Sequence, residues 1–182
     1  MPNLKWTFLL ATLLGVAIVV AMATIDRPHP APHVLAKRLA GAVWITEQIS
    51  ESQLADIKAQ GFRTVIDLRP DGEAVNQPAA ADVARAAQAA GLTFGYVPVP
   101  HGDVPEATVD ALGRSLAQAG RPVLLYCRSG HRAARTWALA EASRVAGLDA
   151  AAIQSAVRSA GQTADDLGAQ IATRIAARSS NR

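Results

Sequence analysis

After Gly41 the chain alternates short apolar runs with alanine-rich, helix-forming segments, and few folds accommodate that order. The apolar runs predict strands at residues 41–49, 62–68, 92–99 and 122–126. Helices are predicted at 50–60, 78–90, 105–119 and 133–146, and two short helices follow them. Such alternation indicates an α/β fold with a parallel central sheet flanked by helices.

Residues at the ends of these segments support the helix assignments. Ser50 and Gln53 have the spacing of a capping box, and Thr163 and Asp166 repeat it near the end of the chain. Pro78 is suited to a first helical turn, and Gly91 to the position that ends a helix.

Composition limits the class of protein. With 182 residues, half of them apolar, the chain is sufficient for one domain with a substantial core. Its single cysteine cannot form an internal disulfide, so that thiol serves either packing or chemistry. The net charge of +3, without a run of Lys or Arg, argues against a nucleic-acid partner.

The N-terminal region differs from the rest. Residues 6–23 carry no charge, and an apolar helix of about 20 residues spans a bilayer, so residues 1–25 are predicted to form a single-pass membrane anchor through 6–25. The alternative is a signal peptide cleaved near Ala23, which would make the protein secreted or periplasmic. Residues 26–40 are predicted to be a proline-rich linker, which leaves 41–182 as the α/β domain.

The linker histidines, His29 and His33, are expected to be solvated and not to form a metal pair, because the neighbouring prolines disfavour the helix that would align them. The sequence has no metal cluster or nucleotide-binding motif elsewhere. Neither a metal nor a cofactor is therefore expected.

The stretch YCRSGHRAAR places the one cysteine, Cys127, at the end of an apolar strand and the start of a helix. Ligands of parallel sheets bind at this end of the strands. The backbone N–H groups of 129–133, with Gly130 free to adopt unusual dihedral angles, would form a cradle for an anion around the sulfur. The same positive field favours thiolate over thiol and makes Cys127 a candidate nucleophile.

Several neighbours of this cysteine are candidate ligands for an oxyanionic substrate. Arg132 offers two parallel N–H donors, which suit an oxyanion. Arg128 and Arg135 are expected to contribute positive field, and His131 to tune the charge or to face solvent. Trp137 is expected to pack in the core. The predicted substrate-binding residues of this loop are Arg128, Ser129, Gly130, His131 and Ala133.

Two family resemblances follow from these residues. YCRSGHRAA resembles the active-site loop of rhodaneses. The longer order of GFRTVIDLRPDGE, QP, an alanine-rich helix, GLTFGYVPVP and the cysteine loop is similar to the phosphatase-like domain of the beta-lactamase hydrolase-like proteins, relatives of dual-specificity phosphatases. This resemblance covers about residues 42–145 and implies Cys127 as nucleophile and Arg132 as oxyanion binder. It also implies that Arg69 and Asp71 lie near the mouth of the site, with Arg69 as a further substrate-binding residue.

The loop departs from the tyrosine-phosphatase pattern HC-x5-R-[ST]. Tyr126 stands where the pattern has histidine, Arg132 comes one residue early, and Ala133 replaces the hydroxyl residue. The shorter loop suits a sulfur atom carried on the cysteine better than a full phosphate group. Local sequence therefore favours sulfur transfer, whereas the overall order favours the phosphatase-like family.

A phosphatase also needs a general acid, and the loop VPVPHGDVPE supplies candidates. Asp103 is the predicted acid, with His101 as the other candidate, and the competing interpretation of Asp103 is an N-cap or turn residue before Pro105. The sequence thus predicts a cysteine-dependent, phosphatase-like hydrolase of phosphate esters. The alternatives are a rhodanese-type sulfurtransferase acting through a Cys127 persulfide, and a non-catalytic module that binds an anion or a partner.

Overall fold

The computed structural model describes Asn3 and residues 33–180. The predicted membrane anchor and most of the predicted linker lie outside these residues. Among the residues described, no helix combines the length and the hydropathy needed to cross a membrane. Pro32–Arg182 is one compact unit of the chain.

Five strands form the sheet, in the order β1-β2-β5-β3-β4. The strands are β1 Lys37–Ala40, β2 Val43–Thr46, β3 Thr64–Asp67, β4 Thr93–Tyr96 and β5 Val123–Tyr126. Strand β1 pairs with β2 antiparallel, and every other pairing is parallel. The predicted α/β class with a mainly parallel sheet is therefore confirmed.

Six α-helices accompany the sheet in the described residues. They are α1 Leu54–Ala59, α2 Ala80–Ala89, α3 Glu106–Gln118, α4 His131–Ser143, α5 Ala150–Ser159 and α6 Gly168–Ser180. Short 3₁₀ turns at Glu51–Gln53 and Asp165–Leu167 precede α1 and α6. The predicted capping box is present, since Ser50 N–H donates to Gln53 Oε1 at 2.8 Å.

Two hydrophobic clusters pack on the sheet because neighbouring residues of a strand point to opposite faces. On β5, Leu124 belongs to the cluster that includes residues of α1 and α2. Leu125 belongs to the cluster that includes residues of α3, α4, α5 and α6. Both clusters lie within residues 34–171, so Pro32–Arg182 carries a complete core of its own.

Strand β1 falls in the segment predicted as linker. Ahead of it, Val34 is buried and donates its N–H to Asp56 Oδ2 at 2.9 Å, and His33 Nδ1 lies 3.0 Å from Asp56 Oδ1. The folded part of the chain thus begins before Gly41. Lys37 and Arg38 are exposed, so β1 lacks the apolar alternation by which a strand is recognised, and it forms because β2 offers an open edge.

Candidate active site

Cys127 follows β5 directly, at the carboxyl end of the parallel strands, and α4 begins at His131. The cysteine is free and only 1% exposed. Gly130 joins the loop to the helix with φ of 80°, a left-handed conformation that glycine adopts without steric cost. The loop therefore turns sharply from the end of a core strand into the N-terminus of a helix.

The carbonyl groups and the amide groups of the loop differ in their hydrogen bonding. Three loop carbonyls accept hydrogen bonds from donors in neighbouring segments: Arg128 O from Gln48 N–H (3.3 Å), Ser129 O from Gln162 Nε2 (3.0 Å) and Gly130 O from Ala134 N–H (3.0 Å). Within the described part of the chain, none of the backbone N–H groups of 128–133 donates to another residue. A run of unpaired amides at a helix N-terminus is an anion-binding arrangement.

Arg132 is 8% exposed, and neighbouring groups fix its orientation. Its Nη1 donates to Glu73 Oε1 at 2.6 Å and to the Val99 carbonyl at 2.7 Å, and its Nη2 donates to Glu73 Oε2 at 2.7 Å. A guanidinium has five N–H donors, so the Nε–H and one Nη2–H remain. These two lie on one edge and can bind an oxyanion with two parallel bonds.

Arg132 also interacts with Cys127. Burial lowers the pKa of Arg132, but the hydrogen bonds to Glu73 and the interaction with the Cys127 sulfur outweigh burial, so the pKa is raised overall. The guanidinium therefore stays charged beside the sulfur. The guanidinium predicted to bind an oxyanion and the sulfur predicted to attack it are thus brought together.

Glu73 connects the residues behind Arg132. Besides Arg132, it accepts a hydrogen bond from Arg69 Nε at 3.0 Å, and His101 Nε2 lies 3.4 Å from its Oε1. Hydrogen bonds from Arg132 and, more weakly, from Arg69 lower the pKa of Glu73 to about 2 despite its partial burial. Glu73 is therefore ionised at neutral pH and cannot act as a general acid.

Arg69 was predicted to bind substrate, and that role remains a prediction; in the structure its side chain contacts Glu73 and Gln48. Its side chain is buried, with Nη1 donating to Gln48 Oε1 at 2.8 Å in addition to the bond to Glu73. Its backbone N–H donates to Asp67 Oδ1 at 2.8 Å. Arg69 thus holds Glu73 in position, and through Glu73 it acts on Arg132.

Tyr126 and Asp67 form a buried pair beneath the loop, on β5 and β3 at paired positions. Burial raises the pKa of Asp67 to about 6, although the hydrogen bond from the Arg69 N–H opposes the rise. Burial and the neighbouring Asp67 carboxylate together raise the pKa of Tyr126. Tyr126 thus fills the position before the cysteine with an apolar ring and a neutral hydroxyl.

Asp103 is exposed and makes no hydrogen bond with the described residues. Pro105 occupies the N-cap position of α3, and no side chain caps that helix, so the N-cap interpretation of Asp103 is not observed. Its loop approaches the site through His101, which contacts Glu73. The general-acid role of Asp103 remains a prediction.

The other predicted residues divide into those at the loop and those with structural roles. Arg128 and Ser129 are exposed on the loop, His131 is half-buried at the start of α4, and Ala133 is buried. Arg135 pairs with Asp166, with Nη2 2.8 Å from Oδ2. Asp71 Oδ1 accepts the Ala80 N–H at the start of α2, so its observed role is to cap that helix. Trp137 is 1% exposed, as expected of a core residue.

Sequence reasoning missed the role of Glu73. It lies in a loop without periodicity and pairs with an arginine 59 positions away. The available signal was that the segment between β3 and α2 holds few acidic residues, while the opposite loop carries several arginines. A buried arginine is costly unless a carboxylate pairs with it, and Glu73 was a candidate for that carboxylate.

Comparison with known proteins agrees with this geometry. Residues 36–144 match the family described as beta-lactamase hydrolase-like protein, phosphatase-like domain. The beta-lactamase hydrolase-like protein of Agrobacterium fabrum is 37% identical over 107 residues, which are 56% of this chain and 25% of that protein. The chain therefore spans about a quarter of that relative's length.

Solved structures show the same fold. A candidate phosphatase from Neisseria meningitidis superposes with a TM-score of 0.66 at 27% identity, covering 76% of this chain and 96% of that one. Kinase associated phosphatase, with its catalytic cysteine replaced by serine, gives a TM-score of 0.62 at 13% identity, covering 82% and 99%. The fold is thus that of the protein tyrosine and dual-specificity phosphatases, and the chain belongs to the phosphatase-like domain family of the beta-lactamase hydrolase-like proteins.

Proposed function

We propose that this protein hydrolyses phosphate esters through the thiolate of Cys127. The observation that carries the proposal is a buried cysteine beside an arginine whose Nε–Nη2 edge is not used by Glu73 or the Val99 carbonyl, in a loop whose amides have no described partner. Family membership and the fold of its structural relatives support the same chemistry.

The proposed reaction has two steps. Cys127 Sγ attacks phosphorus, the S–P bond forms, and the P–O bond to the leaving group breaks. The Arg132 edge and the loop amides bind the non-bridging oxygens, and Asp103 gives its proton to the leaving oxygen. Water then attacks phosphorus, the S–P bond breaks, Asp103 takes a proton from that water, and inorganic phosphate leaves.

Sulfur transfer is the second candidate, and the six-residue segment from Cys127 to Arg132 favours it. Cys127 would attack the sulfane sulfur of thiosulfate, whose S–S bond breaks to release sulfite and leaves a persulfide on the cysteine. Cyanide would then take that sulfur as thiocyanate and return the thiolate. This route needs no general acid, so Asp103 distinguishes the two reactions.

The test compares initial rates of aryl phosphate hydrolysis with sulfur transfer from thiosulfate to cyanide. It uses the fragment Pro32–Arg182, which carries a complete core, beside Cys127→Ser and Asp103→Asn variants. We expect phosphate release that Cys127→Ser abolishes and Asp103→Asn lowers by about 10²-fold or more. Dominant sulfur transfer, unchanged by Asp103→Asn, would establish the second candidate. Neither activity, with anion binding retained, would indicate a non-catalytic anion-binding module.

We further propose that residues 6–25 tether this domain to a membrane. The support is the uncharged run at residues 6–23 in the sequence. The full chain is expected to stay in the membrane fraction after an alkaline carbonate wash. Recovery of a shortened chain in the supernatant would instead indicate cleavage near Ala23.

A further inference from the structure

A cavity of about 720 Å³ lies between α3, α4 and the connection from β1 to β2. Val43 and Arg121 line it, and they mark the start of β2 and the approach to β5. Cys127 follows the other end of β5, so the cavity and the candidate active site are at opposite ends of the sheet. The volume falls in the range of small-molecule sites, about 300–1,000 Å³.

The wall of the cavity is mostly apolar and is built in part from small residues. Leu116 and Leu148 contribute partly exposed apolar side chains, and the lining also includes the small residues Gly113 and Ala140. A Cβ added at Gly113 would meet no atom within 4 Å. Glycine destabilises a helix interior relative to alanine, and no close contact within the described domain requires one there.

Charged groups on the lining include two arginines without a carboxylate partner in the described part of the chain. Arg114 has no ion pair there, although Asp110 stands one helical turn before it. Arg121 donates Nη2–H to the Leu116 carbonyl at 3.3 Å and to no carboxylate. Arg144, in contrast, is paired with Glu141 at 2.6 Å. The lining therefore combines an apolar wall with two guanidinium groups that are free to bind an anion.

We propose that this cavity binds an amphiphile with a single alkyl chain and an anionic head group, of the fatty-acid class. The alkyl chain would cover the apolar side chains of Leu116 and Leu148. The head group would meet Arg114 and Arg121. The site is independent of Cys127 chemistry, so it stands whether or not the proposed hydrolysis is found.

The test is isothermal titration calorimetry of the fragment Pro32–Arg182 with dodecanoate, below the concentration at which it forms micelles. Dodecyltrimethylammonium, with the same alkyl chain and a positive head group, is the matched control ligand. We expect one dodecanoate to bind per chain. The affinity for dodecyltrimethylammonium should be lower by about tenfold or more. Absence of saturable binding, or equal binding of both ligands, would overturn the proposal.

Variants of the lining residues distinguish binding in the cavity from adventitious binding of the alkyl chain elsewhere. Gly113→Phe would fill the cavity from an open side of α3 and is expected to abolish binding, whereas Gly113→Ala should keep the affinity within about twofold. The double variant Arg114→Gln, Arg121→Gln should weaken dodecanoate binding by about three- to tenfold. The thermal unfolding midpoint of each variant confirms that it is folded.

Two further results would also contradict the proposal. Binding unaffected by Gly113→Phe would place the amphiphile elsewhere on the surface. Binding to the fragment that is lost in the full chain would identify residues 1–31 as the occupant of the cavity. In all these measurements, Cys127→Ser should leave dodecanoate binding unchanged, because its side chain lies at the other end of β5.

Discussion

Replacement of Glu73 by glutamine should weaken both the fold and the active site. The carboxylate binds Arg132 through both of its oxygens and also accepts a bond from Arg69. Glutamine keeps the size of the side chain and one acceptor oxygen but loses the charge. Arg132 would remain 8% exposed with its ion pair gone, and its guanidinium would no longer be held in one orientation.

The magnitude follows from the pKa of Glu73. The fall in the pKa of Glu73 from an ordinary 4.5 to about 2 corresponds to roughly 3.5 kcal/mol of interaction with the ionised carboxylate, at about 1.4 kcal/mol per pKa unit. Because glutamine retains part of the hydrogen bonding, we expect a loss of about 2 kcal/mol in the free energy of unfolding. Freed from its position, Arg132 should bind the oxyanion poorly, which lowers kcat/KM by about 10²-fold.

The stability effect should depend on pH with a defined sign. A carboxyl group whose pKa is lowered in the folded state contributes stability above its unfolded pKa and loses it as the pH falls through the folded one. The difference in free energy of unfolding between wild type and Glu73→Gln should therefore narrow as the pH falls from 4.5 to about 2. Urea denaturation at several pH values measures it, and Glu51→Gln, at an exposed position, is the matched control.

The same variant tests whether Glu73 positions Arg132 or competes with the substrate for it. Inhibition by inorganic phosphate should weaken in Glu73→Gln if Glu73 positions the guanidinium, measured at a temperature where the variant is fully folded. Tighter phosphate binding and a higher kcat/KM would show that Glu73 blocks the site, and would refute the reasoning given above.

Three other substitutions have defined outcomes. Asp67→Asn should raise the free energy of unfolding by about 1–2 kcal/mol near pH 7.5. The reason is that the folded state raises the pKa of Asp67 from an ordinary 3.8 to about 6, so the wild type loses stability as the pH rises through that interval. Urea denaturation measures the gain, and near pH 4 the variant should show none. Gly113→Ala should add about 0.5–1 kcal/mol in the same assay, since its Cβ meets open space. Gly130→Ala should cost about 1–2 kcal/mol and most of the activity, because φ is 80° and the Thr46 carbonyl lies 3.3 Å from the added Cβ. If Gly130→Ala kept full activity, the left-handed turn at Gly130 would not be required for the active conformation of the loop.

The parts of the fold that could be predicted are those with a local pattern. Strands β2 to β5 are apolar runs, and the helices between them carry caps or glycines at their ends. Strand β1 has no such pattern, because Lys37 and Arg38 face solvent and only pairing with β2 makes the segment a strand. Its existence depends on tertiary structure and not on its own sequence.

The candidate site divides in the same way. Cys127 and Arg132 lie in one short loop, so their spacing could be recognised directly. Two groups hold Arg132 in position: the Glu73 carboxylate, 59 positions away, and the Val99 carbonyl, 33 positions away. Both come from other loops. Neither loop has a periodicity that fixes its path, so only the folded structure reveals that Arg69 supports Glu73.

The central claim is that Cys127 takes the phosphoryl group from the substrate, and the covalent adduct tests it most directly. Pro32–Arg182 would be mixed with an aryl phosphate, quenched within milliseconds in acid, digested and examined by mass spectrometry. The proposal predicts one phosphoryl group on the peptide that contains Cys127, absent from Cys127→Ser. A peptide that never carries phosphate during turnover, or that gains a sulfur atom from thiosulfate in its place, would contradict phosphoryl transfer at this cysteine.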